Sequence, residues 1–320
     1  MFSKPIQRPP QQDDECVALA TINATDRDQN IRFYEYGHKY EILTDKKTKY
    51  TSVTTWVHSH FPKFNSDEVI DNMMKGKNWG PDNKYWGMTP AQIKQEWNKN
   101  GAEASSAGTK LHKRIEKFMN VDELLESPNV IQDITHGSLL TLNGERVLSE
   151  AAEAEAAEAE AVEAKEWQYF LQFAHDHSEF VPYRTEWMIY DEQLKLAGSV
   201  DMVYKNSDGT YSIYDWKRSK DITKTNGFGK TALTECIDYM PDANFWHYTL
   251  QLNIYKMILE RNYGICIRDL KLVRLHPDAA NDSYELLDVP VMSHVMHELI
   301  DHRLGTFSTS VETRASSSPL

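Results

Sequence analysis

The chain has 320 residues and a formal net charge of −13, with 40% hydrophobic and 26% charged residues, which predicts a soluble, intracellular globular protein with a substantial core. Its three cysteines are far apart and show no CxxC spacing, which excludes a disulfide framework and a thiolate metal cluster. No apolar run reaches the ~20 residues that span a bilayer, so no membrane partner is expected.

The acidic net charge argues against a polyanionic partner, but a single segment supplies much of it. Residues 150–166 contain seven glutamates and one lysine, a contribution of −6. Alanine and glutamate favour helix, and the segment has little apolar surface to bury, so we interpret it as a solvated helical insertion without chemistry. The rest of the chain is only mildly acidic, which is compatible with a local basic groove for nucleic acid.

The predicted organisation is a single domain, residues 31–305, between two disordered tails. Polar composition rich in proline and glutamine predicts disorder over residues 1–30, and a second tail is predicted over 306–320. The parts of the domain are expected to be a hairpin and helical region over 31–104, helices with the acidic insertion over 105–177, and the core over 178–276.

The first elements are a hairpin and several helices. The stretch 31–57 predicts a β-hairpin around a polar turn, followed by a helix that Thr54 or Thr55 could cap. Thr89 is expected to cap a helix that starts with proline and ends at a glycine, and a further helix is expected to begin near Ser105.

The core is predicted to be a sheet with helices on its faces. After a helix over about 161–177, three alternating segments predict strands, with the sequences YRTEWMIYD, KLAGSVDMVYK and TYSIYDWKR. A helix that ends at Gly264 then leads to a fourth strand, LKLVRLHP. The first three strands are expected to be antiparallel and a helical crossover adds the fourth, so the predicted fold class is α/β with a mixed central sheet flanked by helices.

Ionisable residues lie on neighbouring strands of this sheet. Residues two apart in a strand share one face, so Asp215 and Lys217 lie side by side, and Asp201 shares a face with Ser199 and Val203 on the adjacent strand. Burying such charges without partners costs roughly several kcal/mol, so they are expected to be neutralised or used. Converging carboxylates beside a lysine are typical of a Mg²⁺ or Mn²⁺ site.

Two further elements add polar groups to this set. Glu186 lies on the first strand, opposite in phase to Trp187, and His112 and Glu116 share one face of the helix predicted near Ser105. Hydrolysis of a phosphodiester requires a metal that acidifies water and a cation that stabilises negative charge on the phosphoryl oxygens. The pattern D…DxK supplies these groups.

Together these motifs resemble the PD-(D/E)xK nuclease superfamily. GSVDMV, fourteen residues before the aspartate of DWK, is similar to the D…(D/E)xK core, with VD in place of PD. GTKLHKRIE, TEWMIY and QLNIY resemble the helix histidine, the strand glutamate and the QxxxY motif of the RecB-like branch. That branch includes Cas4-like nucleases and mitochondrial genome-maintenance exonucleases, and the resemblance covers roughly residues 45–275.

The resemblance implies a restriction-endonuclease-like core and a metal-dependent DNA exonuclease that acts on DNA ends or single strands in replication, repair or recombination. It implies Mg²⁺ or Mn²⁺ as the cofactor, and no iron–sulfur cluster, because the cysteine set that some relatives have is missing. The implied metal ligands are His112, Asp201, Asp215 and the main-chain carbonyl of Trp216. The implied catalytic lysine is Lys217, Glu186 is a further ligand or orients water, and Glu116, Gln251 and Tyr255 support the site or the substrate.

Each assignment has a simpler alternative. Asp215 with Lys217 could be an edge-strand ion pair, and His112 with Glu116 could be an ordinary helix pair. The protein could then be a nucleic-acid-binding module with a decayed nuclease site, or a helical interaction protein. If the nuclease assignment is right, we expect Asp215 and Lys217 to have separate partners instead of binding each other.

A single strand of DNA would expose its bases to aromatic side chains. The candidates in the sequence are Trp56, Trp79, Trp86, Phe245 and Trp246. The segment NGFGK lacks the GKS/T end of a phosphate loop, and we interpret it as a mobile loop.

Overall fold

The structure is a computed structural model that describes residues 16–120, 165–278 and 280–316. Its centre is a six-stranded mixed sheet, with a separate two-stranded hairpin beside it. The hairpin strands are β1 (Ile31–Tyr34) and β2 (Lys39–Ile42). The sheet strands are β3 (Thr51–Ser52), β4 (Val181–Asp191), β5 (Leu196–Lys205), β6 (Tyr211–Lys217), β7 (Ile267–Arg274) and β8 (Glu285–Asp288).

Helices cover both faces of the sheet. They are α1 (Ala18–Ile22), α2 (Val53–Ser59), α3 (Ser66–Lys75), α4 (Pro90–Met119), α5 over residues 165–176, α6 (Asn244–Asn262) and α7 (Ser293–Ser316). The α4 helix begins at a capping box of Thr89 and Gln92, with Pro90 at its first position, as the sequence predicts. Among the described helices, none combines the length and the hydropathy needed to cross a membrane.

The strand order confirms the predicted fold class. The strands β4, β5 and β6 form an antiparallel meander, β7 pairs in parallel with β6, and β8 pairs antiparallel with β7. The crossover from β6 to β7 contains α6, because a parallel connection requires a crossover long enough to return the chain to the same end of the sheet. The protein is therefore an α/β protein with a mixed sheet flanked by helices and an N-terminal antiparallel hairpin.

One edge of β5 is shared by two short pairings. The strand β4 pairs with β5 along Leu196–Lys205, so β3 and β6 must both lie on the opposite edge. The strand β3 pairs only at the start of β5, and β6 pairs only from Met202 onward. No described strand fills the edge over residues 198–201, and this gap in the sheet is where Asp201 lies.

Two hydrophobic clusters lie on opposite faces of the sheet. On one face, Ile213 of β6 packs with buried residues of α2, α6 and α7, and on the other face Trp216 packs with residues of α4 and α5. Side chains alternate along a strand, which is why one short strand serves both clusters. The helices α4 and α6 therefore approach the gap from opposite faces of the sheet.

The N-terminal segment differs from the prediction. Residues 16–30 were expected to be disordered, yet Leu19 of α1 is buried and its backbone N–H donates to Asn120 Oδ1 at 2.9 Å. Asp28 accepts hydrogen bonds from Arg184 and Trp187 of β4, at 2.8 and 2.9 Å. The prediction of disorder is wrong for residues 16–30, since their partners are 100 or more residues away in sequence, and residues 1–15 lie outside the described part.

Several boundaries also differ. The hairpin turn lies between Tyr34 and Lys39, earlier than expected, and Ser52 caps α2 by accepting from the backbone N–H of Thr55 at 3.1 Å. The α4 helix continues through Gly101 to Met119 without the predicted break, because one glycine costs only about 1 kcal/mol among good helix formers. The last helix continues to Ser316, beyond the predicted start of the C-terminal tail.

The acidic insertion is described only at its end, because residues 150–164 lie outside the described part. Glu166 was predicted to be solvated, but its side chain is only 2% exposed and lies 2.7 Å from Arg218 Nε. The contact between Glu166 and Arg218 therefore joins α5 to the residue that follows Lys217 in the chain. The division into one domain over residues 31–305 stays a prediction.

Candidate active site

Three elements bring one imidazole and two carboxylates together at the gap in the sheet. His112 of α4 places Nδ1 3.3 Å from Glu186 Oε1 of β4 and 3.6 Å from Asp201 Oδ2 of β5. One potential ligand atom of each residue lies within 4.8 Å of the others. Nitrogen and carboxylate oxygen at these separations are arranged as ligands of one metal ion.

Glu186 reaches this position through an unusual backbone conformation. Its φ is +41°, within a strand, and it lies opposite Asp201 between the regular pairs Thr185–Met202 and Trp187–Val200. Such a conformation costs on the order of 1 kcal/mol for a residue other than glycine, and it recurs at functional sites. The side chain is held by Ser199, whose Oγ donates to Glu186 Oε2 at 3.0 Å.

The alternation of β5 changes at Asp201. Val200 and Val203 are three residues apart, yet both belong to the cluster on the α6 face. Regular alternation would place them on opposite faces, so the expectation that Asp201 shares a face with Val203 is wrong. The irregularity lies where β4 and β5 face each other through Glu186 and Asp201, and it turns both carboxylates toward His112.

The backbone of Trp216 connects the two strands at the site. Its N–H donates to Asp201 Oδ2 at 3.0 Å, and its carbonyl oxygen lies 3.0 Å from His112 Nε2. The indole is 2% exposed and packs edge-on against Phe170 and Phe173, which fixes the peptide group that faces the site. The structure thus places the Trp216 carbonyl beside the predicted ligand His112.

Asp215 and Lys217 are in direct contact. Lys217 Nζ touches Asp215 Oδ2 and also lies 4.6 Å from the ring centroid of Tyr248. The two side chains are 2% and 16% exposed for Asp215 and Lys217. The expectation that Asp215 and Lys217 have separate partners is therefore wrong, because they form a buried ion pair. Their position on one face of β6 is the one that the DxK spacing predicts.

Asp215 is also held by the α6 helix. Gln251 Nε2 donates to Asp215 Oδ1 and to the Tyr255 hydroxyl, both at 3.3 Å. Tyr255 in turn packs against Gly198, where an added Cβ would lie 2.7 Å from the Tyr255 ring. This close approach explains the glycine in GSVD and makes Gln251 and Tyr255 supports of the strand that carries Asp215.

Mutual charge shifts the titration of the three clustered residues. Burial would lower the pKa of His112, but the charges of Asp201 and Glu186 outweigh it and raise that pKa to about 9. Burial and the nearby Asp215 raise the pKa of Asp201 to about 7. Burial would raise the pKa of Glu186, but the hydrogen bond and charge of His112 lower it below its ordinary value.

The contacts of His112 agree with its raised pKa. Its Nδ1 faces the Glu186 carboxylate and its Nε2 faces the Trp216 carbonyl, so both nitrogens face acceptors. Two facing acceptors are satisfied when both nitrogens carry protons, as in the imidazolium form. The protonated His112 side chain therefore supplies the positive charge that faces Glu186 and Asp201, a charge that a bound divalent metal would supply in its place.

Glu116 lies outside this cluster of contacts. It is buried, its pKa is raised by burial, and its carboxylate lies 3.3 Å from Lys113 Nζ. His112 pairs with Glu186 and Asp201 instead, so the helix pair considered as an alternative is not the arrangement found. Glu116 stays a supporting residue only as a prediction.

Two contributors were not identified from the sequence. Ser199 orients Glu186, and Tyr248 provides the ring beneath Lys217. Both lay on faces already predicted, since Ser199 is two residues before Asp201 and Tyr248 is three before Gln251. Their roles depend on distances between elements, which the spacing within one element does not specify.

The residues above occupy a segment that also matches a family model. Residues 89–304, more than half of the chain, match the model of the PD-(D/E)XK nuclease superfamily. The chain belongs to this superfamily. A comparison with curated proteins found no match. As a PD-(D/E)XK nuclease, the protein acts on nucleic acid as a hydrolase with divalent metal, and its mixed sheet is the restriction-endonuclease-like core that the sequence predicts.

The donor set of this nuclease fits a hard divalent cation. The candidate ligands are two carboxylates, one imidazole and one main-chain carbonyl, with Asp215 close by. Asp215 Oδ2 is buried and touches Lys217 Nζ, so this third carboxylate already has a cation beside it. Clustered carboxylate oxygens with one imidazole are a donor set that suits a hard divalent cation.

Metal affinity is expected to rise with pH, because the metal must displace protons from His112 and Asp201. Their pKa values of about 9 and about 7 predict loss of two protons per ion below about pH 7 and one between about pH 7 and 9. The affinity should then rise roughly 100-fold per pH unit below about 7 and roughly tenfold above it. Calorimetric titration with Mn²⁺ in buffers of different ionisation enthalpy measures both the affinity and the protons released.

The variant His112→Gln provides the control for this pH profile. This variant should bind Mn²⁺ more weakly, and its affinity should no longer rise between about pH 7 and 9, because the proton released in that range belongs to His112. A profile that is flat from about pH 6 to 9 in the unmodified protein would contradict the assignment of these residues as ligands.

Proposed function

We propose that this nuclease is a metal-dependent deoxyribonuclease of the RecB-like branch, an exonuclease that acts on DNA ends or single-stranded DNA in replication, repair or recombination. The observation that carries the proposal is the convergence of His112, Glu186 and Asp201 with the Asp215–Lys217 pair at one gap in the sheet. The support of Asp215 by the QxxxY pair, Gln251 and Tyr255, favours the RecB-like branch, whose motif this pair resembles.

The residues that would hold the metal are His112, Glu186, Asp201, Asp215 and the carbonyl of Trp216. When bound, Mg²⁺ or Mn²⁺ would supply Lewis-acid chemistry, acidifying water and offsetting charge on the phosphoryl oxygens. Lys217 keeps its proton at neutral pH, because Asp215 and Asp201 raise its pKa although burial opposes this. Lys217 is therefore a cation that stabilises the negative charge of the transition state, and it is unsuited to act as a base.

Gln251 and Ser199 position the carboxylates of the site. Gln251 holds one oxygen of Asp215, and Ser199 holds one oxygen of Glu186, so the second oxygens face Lys217 and His112. The site lies at residues 198–201 of β5, where no described strand pairs with that edge, and His112 and Glu186 are the most exposed of its candidate ligand side chains, at 26% and 29%. Positioning of this kind reduces the reorganisation needed at the moment of reaction.

Cleavage is expected to require divalent metal and a free DNA end. Purified protein is incubated with linear and covalently closed circular single strands of equal sequence, in Mg²⁺, in Mn²⁺ and in chelator. We expect release of short products from the linear strand, an intact circle, and no cleavage in chelator, because the hard-oxygen ligands select these ions.

Each of the other outcomes would contradict a different part of the proposed function. Cleavage of the circle would mean endonuclease action, and cleavage of an RNA strand but not DNA would assign a different substrate. Binding of DNA without cleavage in any metal would favour the alternative of a binding module with a decayed site. Cleavage that persists in chelator would contradict the metal assignment itself.

A further inference from the structure

The loop Asn226–Lys230 carries the most exposed aromatic side chain of the region that follows β6. Phe228 is 79% exposed and lies between two glycines, of which Gly229 has φ +64° and so adopts a conformation that favours glycine. Exposed aromatic side chains on loops next to an active site are typical of contacts with a ligand. The loop is the NGFGK segment of the sequence.

The backbone of this loop is held by hydrogen bonds within the loop and to the segment before α6, while the expectation that the loop is mobile stays a prediction. Asn226 Nδ2 donates to the carbonyls of Lys230 and Asp242, at 2.6 and 3.0 Å. Asn226 Oδ1 accepts from the backbone N–H groups of Phe228 and Lys230, both at 3.0 Å. A bridge between Thr231 and Pro241 closes its base. These contacts hold the backbone that carries Phe228, which lowers the backbone part of the entropic cost of binding.

The loop is attached to the end of α6 that borders the active site. The backbone N–H of Thr223 donates to Asn244 Oδ1, and the Trp246 indole donates to the Lys224 carbonyl, both at 2.8 Å. Tyr248, whose ring contacts Lys217, is four residues after Asn244 in this helix, about 6 Å along the axis. The segment that holds Phe228 is therefore a near neighbour of the catalytic lysine.

The charge of this segment is opposite to that of the chain. Residues 217–230 contain five basic side chains and one acidic side chain, which gives +4 in a protein of net charge −13. Three of the basic side chains are in ion pairs, namely Lys217 with Asp215, Arg218 with Glu166 and Lys220 with Asp278. The charge available to a ligand therefore comes from Lys224 and Lys230. Among the described residues, Lys230 has no ion-pair partner, and Lys224 lies over the Phe245 ring with its charge unpaired. Positive charge concentrated beside an active site attracts the phosphates of a nucleic-acid strand.

We propose that the loop Asn226–Lys230 binds the single strand that enters the active site, with Phe228 stacked on an unpaired base and Lys230 in contact with a phosphate. The inference rests on the proposed function and adds to it a contact outside the metal site. The occupant is a single strand because only an unpaired, unstacked base offers its face to a side chain. Trp56 and Phe245, expected from the sequence to stack on bases, are 5% and 2% exposed and are core residues.

The test compares Phe228→Ala with the unmodified protein on two labelled oligonucleotides of equal length and charge, one with normal bases and one with abasic sites. Binding is measured by fluorescence anisotropy with Ca²⁺ as the cation. We expect Phe228→Ala to weaken binding of the normal strand roughly 5- to 150-fold and to leave the abasic strand unchanged. Phe228→Trp should retain binding, and Tyr36→Ala, which removes a 99% exposed aromatic outside the loop, should have no effect.

The results separate this inference from the proposed function. If the unmodified protein cleaves DNA while Phe228→Ala binds the normal strand within twofold of it, the loop assignment is overturned and the function stands. Equal weakening on both strands would overturn stacking, because the abasic strand has no base to lose. If the unmodified protein neither binds nor cleaves DNA, both proposals are wrong. The melting temperature of Phe228→Ala should equal that of the unmodified protein, since the side chain is exposed.

Discussion

Lys217→Ala is expected to lower the rate of DNA cleavage by a factor on the order of 10² or more while metal and DNA still bind, because it removes a cation that acts in the transition state. The structure supports this direction, since Lys217 is largely buried, touches Asp215 and keeps its proton at neutral pH. Single-turnover cleavage measured beside Mn²⁺ titration separates loss of chemistry from loss of binding. Cleavage at the unmodified rate would end the assignment of Lys217 as the catalytic lysine.

The same variant is expected to lose stability in chelator. Removing Lys217 leaves the Asp215 carboxylate buried without a cation, and breaking a buried pair in this way costs about 3 kcal/mol. Mn²⁺ should recover much of the loss by binding the unpaired carboxylate of Asp215. The double variant Lys217→Ala with Asp215→Asn should melt above the single variant in chelator, since no unpaired charge remains. A double variant that melts at the sum of both single losses would show that the two residues do not interact.

Asp201→Asn is expected to lower the rate of DNA cleavage by a factor on the order of 10³ or more, as removal of an essential active-site group does. Mn²⁺ binding should weaken in parallel. Asp201 is the carboxylate that contacts both His112 and the Trp216 N–H, so it connects the imidazole to β6. An asparagine oxygen can still accept from Trp216, but it carries no charge for the metal. Retained Mn²⁺ affinity in this variant would remove Asp201 from the ligand set.

Asp201→Asn should raise the thermal stability of the protein in chelator while it lowers the cleavage rate. The pKa of Asp201 is raised to about 7, so in the folded protein its charged form is disfavoured, and stability is lost as pH rises from about 4 toward 7. Asp201→Asn removes that loss and should raise Tm in chelator at about pH 8. At about pH 4, where the carboxyl is protonated in the folded state, the two proteins should melt together.

The control for this gain is Asp301→Asn, which removes an exposed carboxylate of α7 with the same change in net charge. Its melting temperature should stay within the scatter of the unmodified protein at either pH. If both aspartate variants gain equally, the cause would be the reduced net charge of an acidic protein and not relief of repulsion at the site.

Much of the core could be predicted because its information is local. Alternation with period two marked β4, β5 and β6, and the threonine and proline at the start of α4 marked its first turn. The spacing of DWK placed Asp215 and Lys217 on one face, and the structure keeps them there. Each of these features is set by neighbours within four residues, where backbone geometry alone decides which side chains meet.

Other features depended on partners far away in the chain. Disorder was predicted over residues 1–30 because the segment as a whole is polar and rich in proline and glutamine, yet Leu19 of α1 is buried in the cluster with residues of α4 and α5. Asp28 is held by Arg184 of β4. Similarly, the sequence predicts Phe245 and Trp56 as candidates for base stacking, but the packing of α2 against α6 buries both side chains. Burial is decided by which surfaces meet, and composition does not specify that.

The sequence by itself determined the fold class, the four strands β4 to β7 in chain order and the set of chemical groups on them, because pattern and spacing act over a few residues; the pairings of β3 and β8 were not predicted. Only the tertiary structure decided the positive φ of Glu186, the direct contact between Lys217 and Asp215, and the hydrogen-bonded conformation of the Phe228 loop. The backbone of Glu186 is strained, and its side chain contacts His112 and Ser199, which lie 74 and 13 residues away in the chain. The other two features join residues close in sequence, but Gln251 of α6 holds Asp215 and the carbonyl of Asp242 holds Asn226. Such contacts are fixed by the packing of the whole core, and no single segment encodes them.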